Sequence, residues 1–370
     1  MRRNPGTTTR PPKDSNLCGH STVWLFPSFG ALAPQQPGRA GARWELTVNG
    51  AVFRPRVVKL QKRFLVRLLQ RAMQAPPEAF ESSLFKERIR PFIGAPHRGR
   101  RLHLDIQGCT YHIHRKSKRD GHFRAKVVFE TPDLTSEQAA NLWLDVSTIR
   151  GQAAEPTLGG RIQLLSPTGT SIVSDIDDTI KESGVGCRRT LLANTFLNEF
   201  RDVDGMVSLY RAWEQQGAAF HYVSSSPWQL FAPLEQWRVG VGYPEGSFHL
   251  RQFRLGQHVL RRLLRIRRQG KARIIQQLIR QFPQRKFLLV GDSSEHDPEI
   301  YGALARRYPR QVANVFIRNV DRNPMLAQRS AKAFRSLPPG SWQIFQQGGE
   351  LPTSLQLPPA DTLAPTRPVA

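Results

Sequence analysis

The stretch 171–180 constrains the fold of this chain more than any other, because two carboxylates follow a short apolar run. Ile172 and Val173 are typical of a buried strand, so Asp175 and Asp177 are expected just beyond its carboxyl end. In open α/β sheets, ligands bind in the crevice at that end. Two carboxylates so close together repel each other unless they share a cation. The pattern Asp-x-Asp-x-Thr therefore predicts a Mg2+ site at the edge of a sheet.

From residue 170 onward, apolar stretches of strand length alternate with stretches of helical period, which is the signature of a parallel sheet. Strands are predicted at 171–174, 219–223, 248–250, 287–290 and 314–317, and helices at 195–199, 205–216, 228–236, 271–282 and 299–308. We therefore expect an α/β catalytic domain over 169–322, in which helices flank a parallel sheet.

Residues 21–168 show mostly the alternation of β-strands, which predicts a mostly β amino-terminal domain with one helix. Asn49-Gly50 is predicted to form a hairpin turn. The helix is predicted between Val57 and Met73, with its basic side either on an anionic membrane or simply in water. Its apolar face is predicted to comprise Val57, Leu60, Phe64, Leu68 and Ala72.

The two ends of the chain have the composition of loosely structured segments. Residues 1–20 are predicted to be a disordered basic leader. Residues 323–370 are rich in Pro and Gln and are predicted to be a loosely attached tail.

The net charge of +25 over 370 residues is extreme. Such a surface attracts nucleic acid, anionic lipid or phosphorylated ligands, although Arg-rich composition can equally reflect codon usage. Only three cysteines are present, Cys18, Cys109 and Cys187, which argues against a disulfide framework or a structural zinc site. No apolar run approaches the ~18 residues that span a bilayer. We expect a cytoplasmic protein that can associate with a membrane surface.

Hydrolysis of a phosphate ester through an enzyme-bound intermediate needs a nucleophile, an acid/base and groups that offset phosphate charge. Asp175 is predicted to be the nucleophile and to form an aspartyl-phosphate. Asp177 is predicted to protonate the leaving oxygen and then to activate water. Asp178 and Thr179 open the next segment and are predicted to hold its loop in shape.

Two further segments can supply contacts to the phosphate. A strand ends in Ser224 and Ser225, whose hydroxyl and backbone N–H groups can bind phosphoryl oxygens. Lys271 opens a predicted helix and can tie the nucleophile to the phosphate. Each signal is weak alone, since Ser-Ser-Pro is a common helix cap and a lysine at a helix start usually faces solvent.

Acidic residues follow one more strand, after Gly291, which is predicted to permit a tight turn. Asp292 is predicted to bind Mg2+ together with Asp175 and Asp177, the latter through its main-chain carbonyl. Asp297 or Glu295 is predicted to support the water ligands of the metal. Gly-Asp-Ser is an ordinary turn by itself, but four such motifs in this order are not a coincidence.

The order of motifs resembles the haloacid dehalogenase superfamily. The longer segments are similar to the actin-patch-protein-type phosphatidate phosphatase family, and they comprise Ser174–Ser183, Tyr222–Trp228, Val290–Tyr301 and Ile317–Val320. The resemblance covers about 170–322, and extends less specifically to the β domain before it. It implies Mg2+-dependent removal of phosphate from phosphatidate, giving diacylglycerol.

The spacing of the motifs bears on the substrate. Only 49 positions separate Asp175 from Ser224, which leaves no room for a large cap domain and favours a substrate such as a lipid head group. Residues 246–291 contain 12 Lys or Arg and no acidic residue, densest at 261–268. That segment is predicted either to contact an anionic lipid surface or to complete the α/β core.

Two other functions remain open at this point. The same chemistry could act on nucleic-acid ends or nucleotides, although no nucleic-acid-binding module is evident. The chain could also be a non-enzymatic basic membrane adaptor, which the presence of Asp175, Asp177 and Asp292 argues against.

Overall fold

The computed structural model describes residues 21–34, 41–54, 59–131, 134–150, 153–155, 157–252, 268–322 and 324–355. The predicted leader 1–20 and nearly all of the basic segment 261–268 lie outside the described residues. Within the described part, a mostly antiparallel sheet precedes a parallel sheet, and no helix there is long and apolar enough to cross a bilayer.

The amino-terminal region is β-rich, as predicted, and its sheet has 11 strands. Its strands are β1 (Thr22–Phe26), β2 (Ser28–Leu32), β3 (Ala42–Arg54), β4 (Ala95–Pro96), β5 (Leu102–Ile106), β6 (Cys109–Ile113), β7 (His122–Thr131), β8 (Trp143–Arg150), β9 (Ala153–Glu155), β10 (Thr157–Gly159) and β11 (Arg161–Leu165). Its helices are α1 (Lys59–Met73), α2 (Ser83–Ile93) and the short α3 (Ser136–Ala139).

The predicted turn at Asn49-Gly50 is wrong, because β3 runs without interruption through both residues. Gly50 pairs with Leu25 on one side and with Phe123 on the other. A Cβ on Gly50 would lie 2.1 Å from the carbonyl oxygen of Trp24. Glycine is therefore needed here for close approach of two backbones, which a sequence pattern cannot distinguish from a turn.

The helix predicted to end at Met73 is present as α1, but its predicted apolar face is rotated from the one observed. Among its described side chains, the buried ones are Leu65, Leu69 and Met73, whereas Phe64 is 60% exposed; Val57 and the side chain of Leu60 lie outside the described residues. The prediction placed Phe64 in the core because the helix is apolar around much of its circumference. α2 was not predicted, and Pro91 lies inside it.

The six-stranded sheet of the catalytic region is parallel throughout, as predicted, with the order β16-β15-β12-β17-β18-β19. Its strands are β12 (Thr170–Ser174), β15 (Ala219–Pro227), β16 (Gly246–Arg251), β17 (Lys286–Asp292), β18 (Val312–Arg318) and β19 (Trp342–Phe345), and a separate hairpin comprises β13 (Lys181–Glu182) and β14 (Arg201–Asp202). The helices are α4 (Arg188–Phe196), α5 (Met206–Gln215), α6 (Phe231–Val241), α7 (Arg268–Gln281), α8 (Asp297–Arg307) and α9 (Leu326–Ala333).

Two predicted boundaries in this region are wrong. The helix predicted at 195–199 lies earlier, as α4. The predicted tail from residue 323 contributes α9 and β19, and β19 pairs with β18 as an edge strand of the parallel sheet. The tail contains a strand because Ile344 and Phe345 complete the hydrophobic core, a contact that its Pro- and Gln-rich composition concealed.

The two regions share a hydrophobic core. Trp24 contacts Trp228 edge to face, with ring centroids 5.6 Å apart, and Phe26 contacts Phe231 at 5.1 Å. The backbone N–H of Phe248 donates to the carbonyl oxygen of Pro27 at 2.9 Å. Apolar burial of this kind is the main source of folding stability, so the amino-terminal region supports the fold of the catalytic sheet.

Arg285 anchors the start of the strand that carries the acidic motif. Its guanidinium is buried, and burial lowers its pKa to about 10. It donates to the hydroxyl of Ser171 at 2.9 Å and to the backbone carbonyls of Ser166, Thr168 and Thr170 at 2.8, 2.5 and 2.6 Å. These bonds fix the loop that leads into β12.

Replacing Arg285 by Met is expected to lower the free energy of unfolding by roughly 3–5 kcal/mol, because the carbonyls it contacts lose a charged donor. Urea denaturation measures the change. The matched control is Arg310→Met, an exposed arginine whose loss is expected to change stability by less than ~0.5 kcal/mol. Equal midpoints for the two variants would contradict this role.

Candidate active site

The acidic motifs meet at the carboxyl ends of neighbouring parallel strands. Asp175 follows β12 directly, and Asp292 is the last residue of β17, which pairs with β12. β15 lies on the other side of β12 and ends with Ser224, Ser225 and Ser226 before Pro227. The sequence predicted this convergence because parallel strands end at one edge of their sheet.

Three buried carboxylates form a cluster that could hold a cation. Asp175, Asp292 and Asp297 each offer an oxygen, and these atoms lie within 4.8 Å of one another. Among the described residues, neither carboxylate oxygen of Asp175 has a hydrogen-bond donor, and Asp292 Oδ2 has none. Buried polar atoms are seldom left without partners, so this arrangement fits an additional positively charged ligand.

Lys271 lies among these acids. Its Nζ is 2.5 Å from Asp297 Oδ1, 3.2 Å from Asp175 Oδ2 and 3.7 Å from Glu295 Oε2. Burial lowers the pKa of Lys271, but Asp175 and Asp297 outweigh it and hold that pKa well above its usual range. The lysine was predicted to open its helix, whereas α7 begins at Arg268 and Lys271 lies one turn inside it.

The site contains more negative charge than Lys271 can offset. Burial, opposed by Lys271, raises the pKa of Asp175 well above its usual range. Burial and Asp297 raise the pKa of Asp292 to about 6. Burial, together with Asp292 and Asp297, raises the pKa of Glu295 to about 8 despite Lys271. Each of these carboxylates would be stabilised in its ionised form by a cation.

The side chain of Asp177 lies outside the cluster of three carboxylates, and its predicted contact with the metal concerns only its main-chain carbonyl. Its Oδ2 accepts hydrogen bonds from Ser224 at 3.0 Å and from Ser226 at 2.6 Å. Its Oδ1 accepts from Ser183 at 2.8 Å and lies 3.0 Å from Lys181 Nζ. Both oxygens of the Asp177 carboxylate therefore have protein partners.

The same contacts set the charge of Asp177. Burial would raise its pKa, but Lys181 and the hydroxyls of Ser226 and Ser183 outweigh burial and lower it to about 2. The carboxyl group is therefore ionised in this arrangement. Lys181, Ser183 and Ser226 were not predicted as site residues, although all three lie within the motif segments identified from the sequence.

The residues after Asp177 hold the loop in shape. Asp178 has a φ of 55°, in the left-handed region that asparagine and aspartate tolerate better than most residues. Its carboxylate accepts from the backbone N–H groups of Ser183, Gly184 and Val185 at 2.7, 2.8 and 2.6 Å. Thr179 is fully buried beside this loop.

The predicted phosphate-binding serines make contacts with acids. Ser224 donates to Asp177, as above, and its Oγ accepts from the backbone N–H of Ser226 at 2.8 Å. Ser225 donates to Glu295 Oε2 at 3.2 Å. Glu295 thus connects Ser225 to Lys271. The carboxylate of Asp297 accepts hydrogen bonds from Lys271 and from the backbone N–H of Asp292, the second at 3.3 Å.

Gly291 does not form the predicted turn, because it lies inside β17. A Cβ at this position would lie 2.1 Å from Asp297 Oδ2 and 2.7 Å from Tyr301 Cε2. The glycine leaves room for the carboxylate of Asp297 to reach Lys271. This requirement for glycine arises from the position of α8, which begins at Asp297. The local sequence around Gly291 does not indicate it.

Replacing Gly291 by Ala is expected to displace Asp297, to lower the free energy of unfolding by about 1–3 kcal/mol and to reduce any activity of the site. Denaturation and activity assays measure the two effects. Gly240→Ala is the control, because no atom lies within 4 Å of a Cβ there and the residue is helical. Wild-type stability in Gly291→Ala would show that Asp297 does not need this space.

A cavity of about 440 Å³ adjoins Ser224, Ser225 and Lys271. Its opposite wall comes from the amino-terminal sheet, including Thr47 and Asn49 on β3. Aromatic and arginine side chains complete the lining, among them Phe26, Phe29, Phe248, Arg124, Arg251 and Arg273. The volume is in the range of small-molecule sites, and the serines predicted to bind phosphate adjoin a space that both regions of the protein enclose.

Comparison with known proteins addresses the catalytic region directly. Residues 170–319 match the family model described as phosphatidate phosphatase APP1, catalytic domain. The catalytic region is therefore similar to the catalytic domain of the APP1 phosphatidate phosphatases. The match contains every site residue named above, from Asp175 to Asp297, whereas the amino-terminal strands that line the cavity lie outside it.

Two curated relatives are similar to this chain. Phosphatidate phosphatase APP1 of Saccharomyces cerevisiae is 33% identical over 203 residues, which cover 54% of this chain and 34% of the yeast protein. An uncharacterized protein of Schizosaccharomyces pombe is 34% identical over 166 residues, 43% of this chain and 26% of that protein. The chain thus spans about a third or less of the length of these curated relatives.

Proposed function

We propose that this protein is a Mg2+-dependent phosphatidate phosphatase that releases phosphate and diacylglycerol through an aspartyl-phosphate. The observation that carries the proposal is the buried carboxylate of Asp175, which accepts no hydrogen bond and lies beside Asp292 and Lys271 in a region that matches the APP1 catalytic domain. The parallel sheet and the short hairpin insert between Asp177 and Ser224 are consistent with a haloacid-dehalogenase-type architecture without a large cap.

The acidic cluster fits a hard divalent cation, because its ligands are carboxylate oxygens. Asp175 and Asp292 would hold Mg2+, with the Asp177 main-chain carbonyl as a third ligand. Asp297 either joins them or, as its contact with Lys271 suggests, orients the surrounding groups. When bound, Mg2+ neutralises phosphate charge and brings the phosphoryl group to the nucleophile.

In the first step, a carboxylate oxygen of Asp175 forms a bond to phosphorus, and the bond from phosphorus to the glycerol oxygen breaks. Lys271, 3.2 Å from Asp175 Oδ2, offsets the charge on the phosphoryl group. Asp177 gives its proton to the leaving oxygen. In the second step, Asp177 takes a proton from water, and the resulting hydroxide displaces phosphate from Asp175.

Asp177 must gain a proton before it can act as the acid, although its pKa is about 2 in this arrangement. Ser224 and Ser226 now donate to its carboxylate. When these hydroxyls turn to phosphoryl oxygens, Asp177 loses two of the contacts that lower its pKa, and the negative phosphate beside it raises the pKa further. Substrate binding thereby prepares the acid.

The alcohol part of the substrate extends into the cavity beside Ser224 and Ser225. The cavity volume of about 440 Å³ accommodates a glycerol backbone and the first part of the acyl chains, but not two full chains. The chains therefore remain in the membrane, and the protein acts as a peripheral enzyme on an anionic lipid surface.

Replacing Asp175 by Asn is expected to lower phosphate release from phosphatidate micelles by about a thousandfold or more, because the amide is a poor nucleophile. Release of inorganic phosphate with and without Mg2+ measures the effect. Asp202→Asn serves as the control, since Asp202 is exposed. Retained activity in Asp175→Asn contradicts the mechanism, whereas a preference for nucleotides or phosphopeptides in a substrate panel contradicts the substrate.

Stabilisation by Mg2+ is expected to grow with pH. The folded-state pKa values of Asp292 and Glu295, about 6 and about 8, lie above their ordinary values. Metal-free protein therefore keeps the stability these groups contribute at low pH and loses it as the pH rises through about 6 and then about 8. Mg2+ binds the ionised carboxylates, so protons compete with it below those values.

Thermal melts with and without Mg2+ test this expectation. The increase in Tm on adding Mg2+ should be small below pH about 6 and largest above pH about 8. Asp292→Asn should abolish the increase at every pH. An increase of the same size across this range would argue against a metal held by Asp292.

A further inference from the structure

One exposed face of α1 combines positive charge with an aromatic ring. We call it the α1 basic face, and it comprises Arg63, Phe64, Arg67 and Arg71. Arg67 and Arg71 follow Phe64 by three and seven residues, so the three side chains form one stripe along the helix. The opposite side of the helix buries Leu65, Leu69 and Met73.

The α1 basic face is unpartnered within the described part of the chain. Phe64 is 60% exposed, an unusual position for a large aromatic side chain. The three arginines of the α1 basic face have no ion pair or hydrogen bond to any described residue. Helix α1 contains no acidic residue, so nothing on the helix itself offsets this charge.

Helix α1 is connected through α4 to the loop 178–185 that follows Asp177, which we call the catalytic loop. Helix α1 packs on α4, and Arg189 of α4 donates to Gln74 just after α1 at 3.2 Å. Asn194 of α4 donates to the backbone carbonyl of Ser183 at 3.2 Å, and Ser183 donates to Asp177. Helix α4 itself has two exposed arginines, Arg188 and Arg189.

We propose that the α1 basic face docks on an anionic lipid bilayer, with Phe64 inserted at the level of the head groups. The proposal rests on the proposed function, because phosphatidate is presented in such a surface. Arginines attract the negative head groups, and the ring beside them gains free energy by leaving water. The α1 basic face has a single aromatic ring, whereas single-stranded nucleic acid is bound by successive stacking rings, which favours lipid as the partner.

Vesicle flotation of the full chain tests the proposal. One set of vesicles contains phosphatidylcholine alone, and the other contains phosphatidylcholine and phosphatidylglycerol in equal parts. Phosphatidylglycerol is an anionic lipid without a phosphate monoester, so the enzyme cannot hydrolyse it. Wild-type protein should bind only the anionic vesicles. Arg67→Gln with Arg71→Gln should weaken binding about thirtyfold, and Phe64→Ala about tenfold.

Matched controls address charge and exposure separately. Lys332→Gln with Arg335→Gln removes the same charge from an exposed site around the end of α9, and should change binding much less. Val239→Ala alters an apolar residue that is also 60% exposed, on α6. If these controls weaken vesicle binding as much as the α1 variants do, binding depends on total charge and the proposal is wrong.

Two further measurements separate this proposal from the proposed function. Hydrolysis of a soluble aryl phosphate, and of phosphatidate in detergent micelles, should be unchanged in the α1 variants, while turnover of phosphatidate in vesicles falls with vesicle binding. Wild-type protein that hydrolyses micellar phosphatidate but ignores anionic vesicles overturns the docking alone. Binding of single-stranded RNA that depends on Phe64 and Arg67, without vesicle binding, would assign the face to nucleic acid instead.

Discussion

The ion pairs of the buried Lys271 ammonium are the interaction on which the site depends. Lys271 lies between Asp175, Asp297 and Glu295, all of them almost fully shielded from water. Burying charges is unfavourable unless each has a partner in good geometry. One ammonium cannot offset the charge of several carboxylates, so the cluster fits a further cation, as the proposed function requires.

The surrounding structure serves to hold these charges in register. Gly291 leaves space for Asp297 to approach Lys271, and Arg285 fixes the loop that leads into the strand before Asp175. Asp178 binds three consecutive backbone N–H groups and so positions Ser183 against Asp177. Each of these devices acts through another residue, which explains why the site extends well beyond the acids themselves.

The amino-terminal region contributes to both the fold and the site. Trp24 and Phe26 pack against the catalytic region, and Thr47 and Asn49 line the cavity beside Ser224. Helix α1 of the same region packs on α4, next to the catalytic loop. The β-rich region thus provides one wall of the cavity and the α1 basic face. In the proposed function, the cavity holds part of the lipid substrate and the α1 basic face contacts the membrane.

The sequence by itself determined the parallel sheet and the meeting of Asp175, Asp292 and Lys271, because local apolar runs specify strands and parallel strands end at one edge. Only the tertiary structure decided the environment of each group. Neighbouring elements turned Asp177 toward serines and Lys181, exposed Phe64 and made Gly50 part of a strand. Such outcomes depend on contacts between residues far apart in the sequence, and a local sequence pattern does not show which of those residues become neighbours in space.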